Sequence, residues 1–119
     1  MKLEEFAVEW VKAIENLDQT TGVPWTESFL TDLWLKGKHE QIWEFIVHTS
    51  QKDLPENVAG YLAAGPLEDL LASAGPIFIE RVELLANASP KFKTLLQGVW
   101  RNEIEEAVWL RMQAILASG

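Results

Sequence analysis

Apolar residues recur every three or four positions along nearly the whole chain, and this spacing confines it to helices. Leu3, Phe6, Ala7, Trp10, Val11, Ile14 and Leu17 follow the i, i+3, i+4, i+7 rule of one buried helical stripe. Glu4 and Glu5 fall in the first turn, where carboxylates complement the helix dipole, and the polar run Asp18-Gln19-Thr20-Thr21-Gly22 ends the segment. A second helix opens near Pro24 or Thr26, carries Phe29, Leu30, Leu33 and Trp34, and stops at Gly37. A third, from about Lys38 to Ser50, presents Ile42, Trp43, Phe45, Ile46 and Val47. No strand-like alternation of useful length and no Asn-Gly or Asp-Gly hairpin signal interrupts the pattern.

Proline and glycine punctuate the second half. Pro55 sits where a proline opens a helix, and the fourth helix runs to about Ala64. Gly65-Pro66 and Gly75-Pro76 repeat one device, a glycine that closes a helix and a proline that opens the next. They bracket a short helix, Leu67 to Ala74, followed by a longer one with Phe78, Val82 and Leu85 on one stripe. Ser89-Pro90 starts another short helix through Leu96, closed by Gly98. Asn102 then caps the last, with Glu105 at the capping-box position and Ile104, Val108, Met112 and Ile115 on its stripe. The expectation is all-α: about eight short helices with short links, packed as antiparallel hairpins in a compact bundle or a small solenoid-like stack. No sustained repeat of solenoid length is present.

The 119 residues suit one domain spanning the whole chain, able to bury roughly two-thirds of its unfolded surface. The absence of cysteine removes disulfides, thiolate zinc sites and cysteine nucleophiles, and fits a cytoplasmic setting. No segment approaches the ~20 continuous apolar residues of a membrane span, and Met1-Lys2-Leu3-Glu4-Glu5 lacks a secretory signal core. With 18 acidic against 10 basic residues the net charge is −8, which disfavours nucleic acid and anionic membrane surfaces and would attract a basic protein.

No catalytic motif survives inspection, and no cofactor is expected. His39-Glu40 begins like a zinc-protease helix, but Trp43 stands where the second histidine is required, and His48 is nine residues from His39. Both histidines read as surface residues. Glu68 and Asp69 are adjacent, so on a helix they point about 100° apart and do not converge on one substrate atom. Arg81 and Arg111 are flanked by apolar residues at i±3 and i±4, which places them on or beside buried stripes. A buried guanidinium requires a carboxylate, and Glu68, Glu80, Glu83 and Glu103 are the candidates. Glu68, Arg81, Glu83 and Arg111 thus form the candidate charge cluster, structural or binding. Of six tryptophans, Trp10 and Trp43 fit core stripes, and Trp25 and Trp34 are the candidate interface aromatics. Lys91, Lys93 and Arg101 form the only basic concentration, better read as a solvated face than a nucleic-acid site.

From Leu62 onward the chain resembles a bacterial family of small domains of unknown function. The matching runs are Leu62-Ala63-Ala64-Gly65-Pro66-Leu67-Glu68-Asp69-Leu70-Leu71, Phe78-Ile79-Glu80-Arg81-Val82-Glu83, Pro90-Lys91-Phe92, Gly98-Val99-Trp100-Arg101 and Val108-Trp109-Leu110-Arg111. Glu40 to Ile46 looks like an upstream helix of the same family. Its members often carry a histidine immediately before the second glycine, where this chain has Ala74. The resemblance implies a helical domain and no activity. The expected function is therefore an acidic protein-binding module, inhibitor- or immunity-like, acting on a basic protein. An enzyme or small-ligand site built on the Glu/Arg cluster, and a homo-oligomer subunit, are the alternatives.

Overall fold

In a computed structural model, residues 2–17 and 24–118 are described. The polar run expected to end the first helix, Asp18 to Gly22, lies outside them. Among the described residues the seven α-helices are α1 (Leu3–Glu15), α2 (Trp25–Leu35), α3 (His39–Ser50), α4 (Glu56–Leu62), α5 (Glu68–Ala88), α6 (Pro90–Leu96) and α7 (Glu106–Ala117). No strand occurs among the described residues.

Of the two Gly-Pro pairs, Gly65-Pro66 does not separate helices as expected, whereas the expected break at Gly75-Pro76 is present as a kink. A single π-turn, Ala63–Leu67, joins α4 to α5, so no helix end falls at Gly65-Pro66. Pro66 lacks an N–H and its ring crowds the carbonyl four residues back. Widening the turn by one residue accommodates both effects without breaking the helix. At Gly75-Pro76 the deviation is sharper: Ala74 leaves the helical region at φ −140°, ψ 27°, and α5 kinks there. With the kinked stretch counted as one, the expected total of about eight helices becomes six helical segments among the described residues. The Glu56–Ala88 segment is long and apolar enough to cross a membrane by length and composition, but most of its apolar window is buried inside the protein, as in a core helix.

The other boundaries follow local chemistry. Gly37 takes a left-handed φ of 69° after α2, with Lys38 N–H donating to Leu33 O at 2.8 Å and Gly37 N–H to Trp34 O at 3.1 Å, a Schellman closure. Ser89 caps α6 by accepting from Phe92 N–H at 3.2 Å, with Pro90 in the first turn. Asn102, in contrast, does not cap α7. Glu105 is the residue before α7, and Asn102 sits in the preceding turn with a positive φ of 36°, a conformation asparagine tolerates.

The core is one continuous cluster drawn from every helix. Trp10, Phe45, Phe92, Leu67, Leu70 and Met112 are among its fully buried side chains. Edge-on aromatic pairs knit it together: Trp10 with Phe45 at 5.3 Å and Trp43 with Phe92 at 5.9 Å between ring centroids. α5 packs against both α6 and α7, and Gly75 permits the latter approach, since a Cβ there would lie 3.0 Å from Val108 Cγ2. The radius of gyration, 13.8 Å, is close to the ~13.5 Å of a compact chain of this length.

Candidate functional site

One face of α2 carries Glu27, Leu30, Thr31 and Trp34, an i, i+3, i+4, i+7 stripe that runs from a carboxylate at one end to an indole at the other. It faces the π-turn and its flanks, where Tyr61, Gly65 and Asp69 follow one another at four-residue steps. Between the two walls lies a cleft of about 410 Å³ whose apolar lining includes the buried Leu30, Ile42, Pro66 and Leu70. The Tyr61 ring lies over Gly65, with Cδ1 and Cε1 at 3.7 Å from where a Cβ would be. Trp34 bridges the walls, its indole N–H donating to Ser73 Oγ at 3.1 Å, while Ser73 Oγ–H donates to Asp69 O at 2.7 Å.

The cleft is electrostatically one-sided. Glu27 Oε1 accepts the indole N–H of the fully buried Trp10 at 3.2 Å. Burial pushes the Glu27 carboxyl above the ordinary range; the Trp10 hydrogen bond partly offsets this, and the charge of Asp69 adds to it. Burial also raises Asp69, with Glu68 contributing. Tyr61 is raised by burial and then by both cleft carboxylates. Among the described residues the ion pairs are Lys12–Glu9, Lys36–Asp32, Arg81–Glu40, Lys91–Asp53 and Arg111–Glu83. None reaches Glu27 or Asp69.

Of the charge cluster expected from the sequence, Glu83 and Arg111 are brought together, and Glu68 and Arg81 find other partners. Arg81 and Arg111 are roughly half exposed rather than buried, and the apolar neighbours at i−4 and i+3, Ile77 and Leu84 for Arg81 and Ala107 and Ala114 for Arg111, themselves face solvent. Each arginine meets a carboxylate from another helix. Arg81 bonds Glu40 of α3, which was not among the expected partners, and its guanidinium lies 4.9 Å from the Phe78 ring centroid. Arg111 Nη2 lies 3.5 Å from Glu83 Oε1. Glu68 stands thirteen residues before Arg81, roughly 20 Å along a helix at 1.5 Å per residue. It holds the turn before α7 instead, accepting from Trp100 N–H at 3.1 Å and Asn102 Nδ2 at 2.8 Å. Glu68 and Asp69 therefore diverge, one toward that turn and one toward the cleft.

Residues 13–118 match the model of a family described as a family of unknown function, DUF6869. The chain belongs to that family. The DUF6869 match runs from the last turn of α1 through α7 and so contains both cleft walls. No curated protein and no solved structure matches the chain.

Trp25 and Trp34 are 50% and 45% exposed but lie on opposite sides of α2, nine residues or half a revolution apart. Trp25 packs edge-on to Phe6 at 5.9 Å, and only Trp34 belongs to the cleft. Trp100 is more exposed than either, at 68%. His39 and His48 are partly buried, with His48 Nε2 enclosed and without a partner among the described residues. No group of three or more His, Asp or Glu side chains has metal-binding geometry among them. Lys91 bonds Asp53 and the carbonyl of Gln51, Lys93 the carbonyl of Ser118, and Arg101 the carbonyl of Ile104 at 3.5 Å. The basic side chains are thus spent on internal contacts. Glu27, Tyr61 and Asp69 were missed as a site, although the α2 stripe and a proline inside a helical pattern were visible signals.

Proposed function

We propose that this protein is a small acidic binding module that engages a basic protein partner, with the α2 face around the cleft as its contact surface. The observation that carries the reading is a pair of cleft carboxylates, Glu27 half-buried and Asp69 more exposed, without a cation of this chain beside them among the described residues. A charge kept partly desolvated and unpaired costs stability, and a cationic partner would repay that cost on binding. The net charge of −8 would steer such a partner toward the surface. Trp34 supplies a tryptophan at the mouth, the residue type most enriched in interface hot spots. On this reading the helices act as a stack of antiparallel hairpins, a rigid frame for the α2 face. Affinity capture from lysate with wild type and with Glu27→Gln/Asp69→Asn, at low and high salt, tests it. One basic protein retained by wild type and released by salt supports the reading; no protein retained at either salt contradicts it.

A second reading, a homo-oligomer subunit, draws on Ile77 and Leu84, 68% and 66% exposed on the outer face of α5. A concentration-independent monomer mass by sedimentation would dismiss it, and loss of a dimer in Ile77→Ser/Leu84→Ser would support it.

A further inference from the structure

We propose that the cleft between α2 and the π-turn is a receptor for one lysine or arginine side chain of the partner, taking its ammonium or guanidinium group between Glu27 and Asp69. The proposal rests on the binding-module reading and names the chemistry that the site selects.

Three features of the cleft converge on a cation carried on an alkyl stem. The first is charge. Both carboxylates line one cavity, each feels burial, and Glu27 feels Asp69 as well. An anionic ligand would add to that repulsion, and a neutral one would leave it in place. A cation removes it and hydrogen-bonds to both oxygens. The second is the wall chemistry. Trp34 and Tyr61 present aromatic rings from opposite sides, and aromatic faces attract ammonium and guanidinium groups while packing on methylenes. Leu30 and Pro66 supply apolar surface for the stem, so a long side chain can bury its methylenes and place its charge at the carboxylates. The third is preorganisation. Trp10 holds Glu27 and Ser73 holds Trp34, so the α2 side of the receptor is fixed before a ligand arrives. The π-turn contributes by carrying the helix past Pro66 without a break, which sets Asp69 and Tyr61 on one wall. Turns of this kind recur at functional sites.

The basic partner rather than a free amine is the source, because Trp34 stands about half exposed at the mouth as part of a larger surface. The test uses the full chain with ¹⁵N-labelled tryptophan, since the indole N–H groups of Trp10 and Trp34 touch Glu27 and the cleft wall respectively. The probes are N-acetyl-lysine methylamide, N-acetyl-arginine methylamide, n-butylammonium and the neutral N-acetyl-norleucine methylamide. The expected result is saturable movement of both indole resonances by a capped cationic residue at millimolar concentration, with no comparable movement by norleucine. Glu27→Gln/Asp69→Asn, verified as folded by circular dichroism, is expected to weaken that binding at least tenfold. Equal response to norleucine, no response to any cation, or unchanged binding in the variant would overturn the proposal. Tighter binding of butylammonium than of the capped residues would overturn the protein source. A partner captured equally well by wild type and variant would leave the binding module standing while sinking the receptor.

Discussion

Replacing Trp10 with phenylalanine tests the link between core and cleft, because one side chain serves both. Trp10 is fully buried, packs on Phe45 at 5.3 Å and Tyr61 at 6.2 Å, and donates to Glu27 at 3.2 Å. Trp10→Phe keeps one six-membered ring and loses the rest of the indole with its N–H. The lost volume costs about 1–2 kcal/mol, a fraction of the 3–5 kcal/mol typical of removing a whole tryptophan. A hydrogen bond to a charged group contributes about 1.5–3 kcal/mol when buried. Glu27 is only partly buried and water can replace the lost donor, so about 1 kcal/mol is the appropriate share here. The expected total is about 2–3 kcal/mol, or a fall of roughly 8–12 °C in Tm. Glu27→Met removes the acceptor at similar length and completes a double-mutant cycle with Trp10→Phe. Urea unfolding of the four proteins at pH 7 is expected to give a coupling of about 1 kcal/mol. A coupling within about 0.3 kcal/mol of zero would refute the claim that Trp10 holds the Glu27 carboxylate.

Three other outcomes are expected. Gly75→Ala should destabilise by about 1–3 kcal/mol, because its Cβ would press Val108 at 3.0 Å, whereas Gly60→Ala, with nothing within 4 Å, should stabilise by about 0.5–1 kcal/mol; thermal melts compare the two. Arg81→Met should cost less than about 1 kcal/mol, since its pair with Glu40 is exposed, and a loss several times larger in urea unfolding would restore the buried-clamp expectation. Asp69→Asn tests linkage: burial raises the folded pKa of Asp69 above its ordinary 3.8, so its contribution to stability is fully present below that pH and is lost as pH rises through the folded value. The always-neutral asparagine should therefore melt higher than wild type at pH 7 and lose that advantage near pH 3. An offset independent of pH would contradict the assignment.

The all-helical character was legible because the 3.6-residue stripe persists through nearly every segment. The stops at Gly37 and the start at Ser89-Pro90 were legible because each relies on one residue's backbone preference or cap. Gly65-Pro66 misled because local preference only disfavours a continuous helix there, and burial of Leu62, Leu67, Leu70 and Leu71 in and around the π-turn overrides it, whereas at Gly75-Pro76 the expected break survives as the Ala74 kink. Arg81 and Arg111 misled for a related reason. Apolar neighbours at i±3 and i±4 mark a buried face only when all of them are themselves buried, and Ile77 and Leu84 beside Arg81 and Ala107 and Ala114 beside Arg111 are not. The cleft was hidden because it needs α2 and the π-turn, more than thirty residues apart, to meet. Within the Glu68-Asp69 pair the divergence of adjacent helical residues was anticipated correctly, but nothing local assigns Asp69 to one neighbour and Glu68 to another.

The measurement that bears most directly on the cleft is the affinity of the captured partner as a function of ionic strength, for wild type and for Glu27→Gln/Asp69→Asn. The account requires wild-type binding that weakens as salt rises, and a folded variant that binds at least tenfold more weakly at low salt with a flatter salt dependence. Identical affinity and identical salt dependence in the two proteins would contradict it.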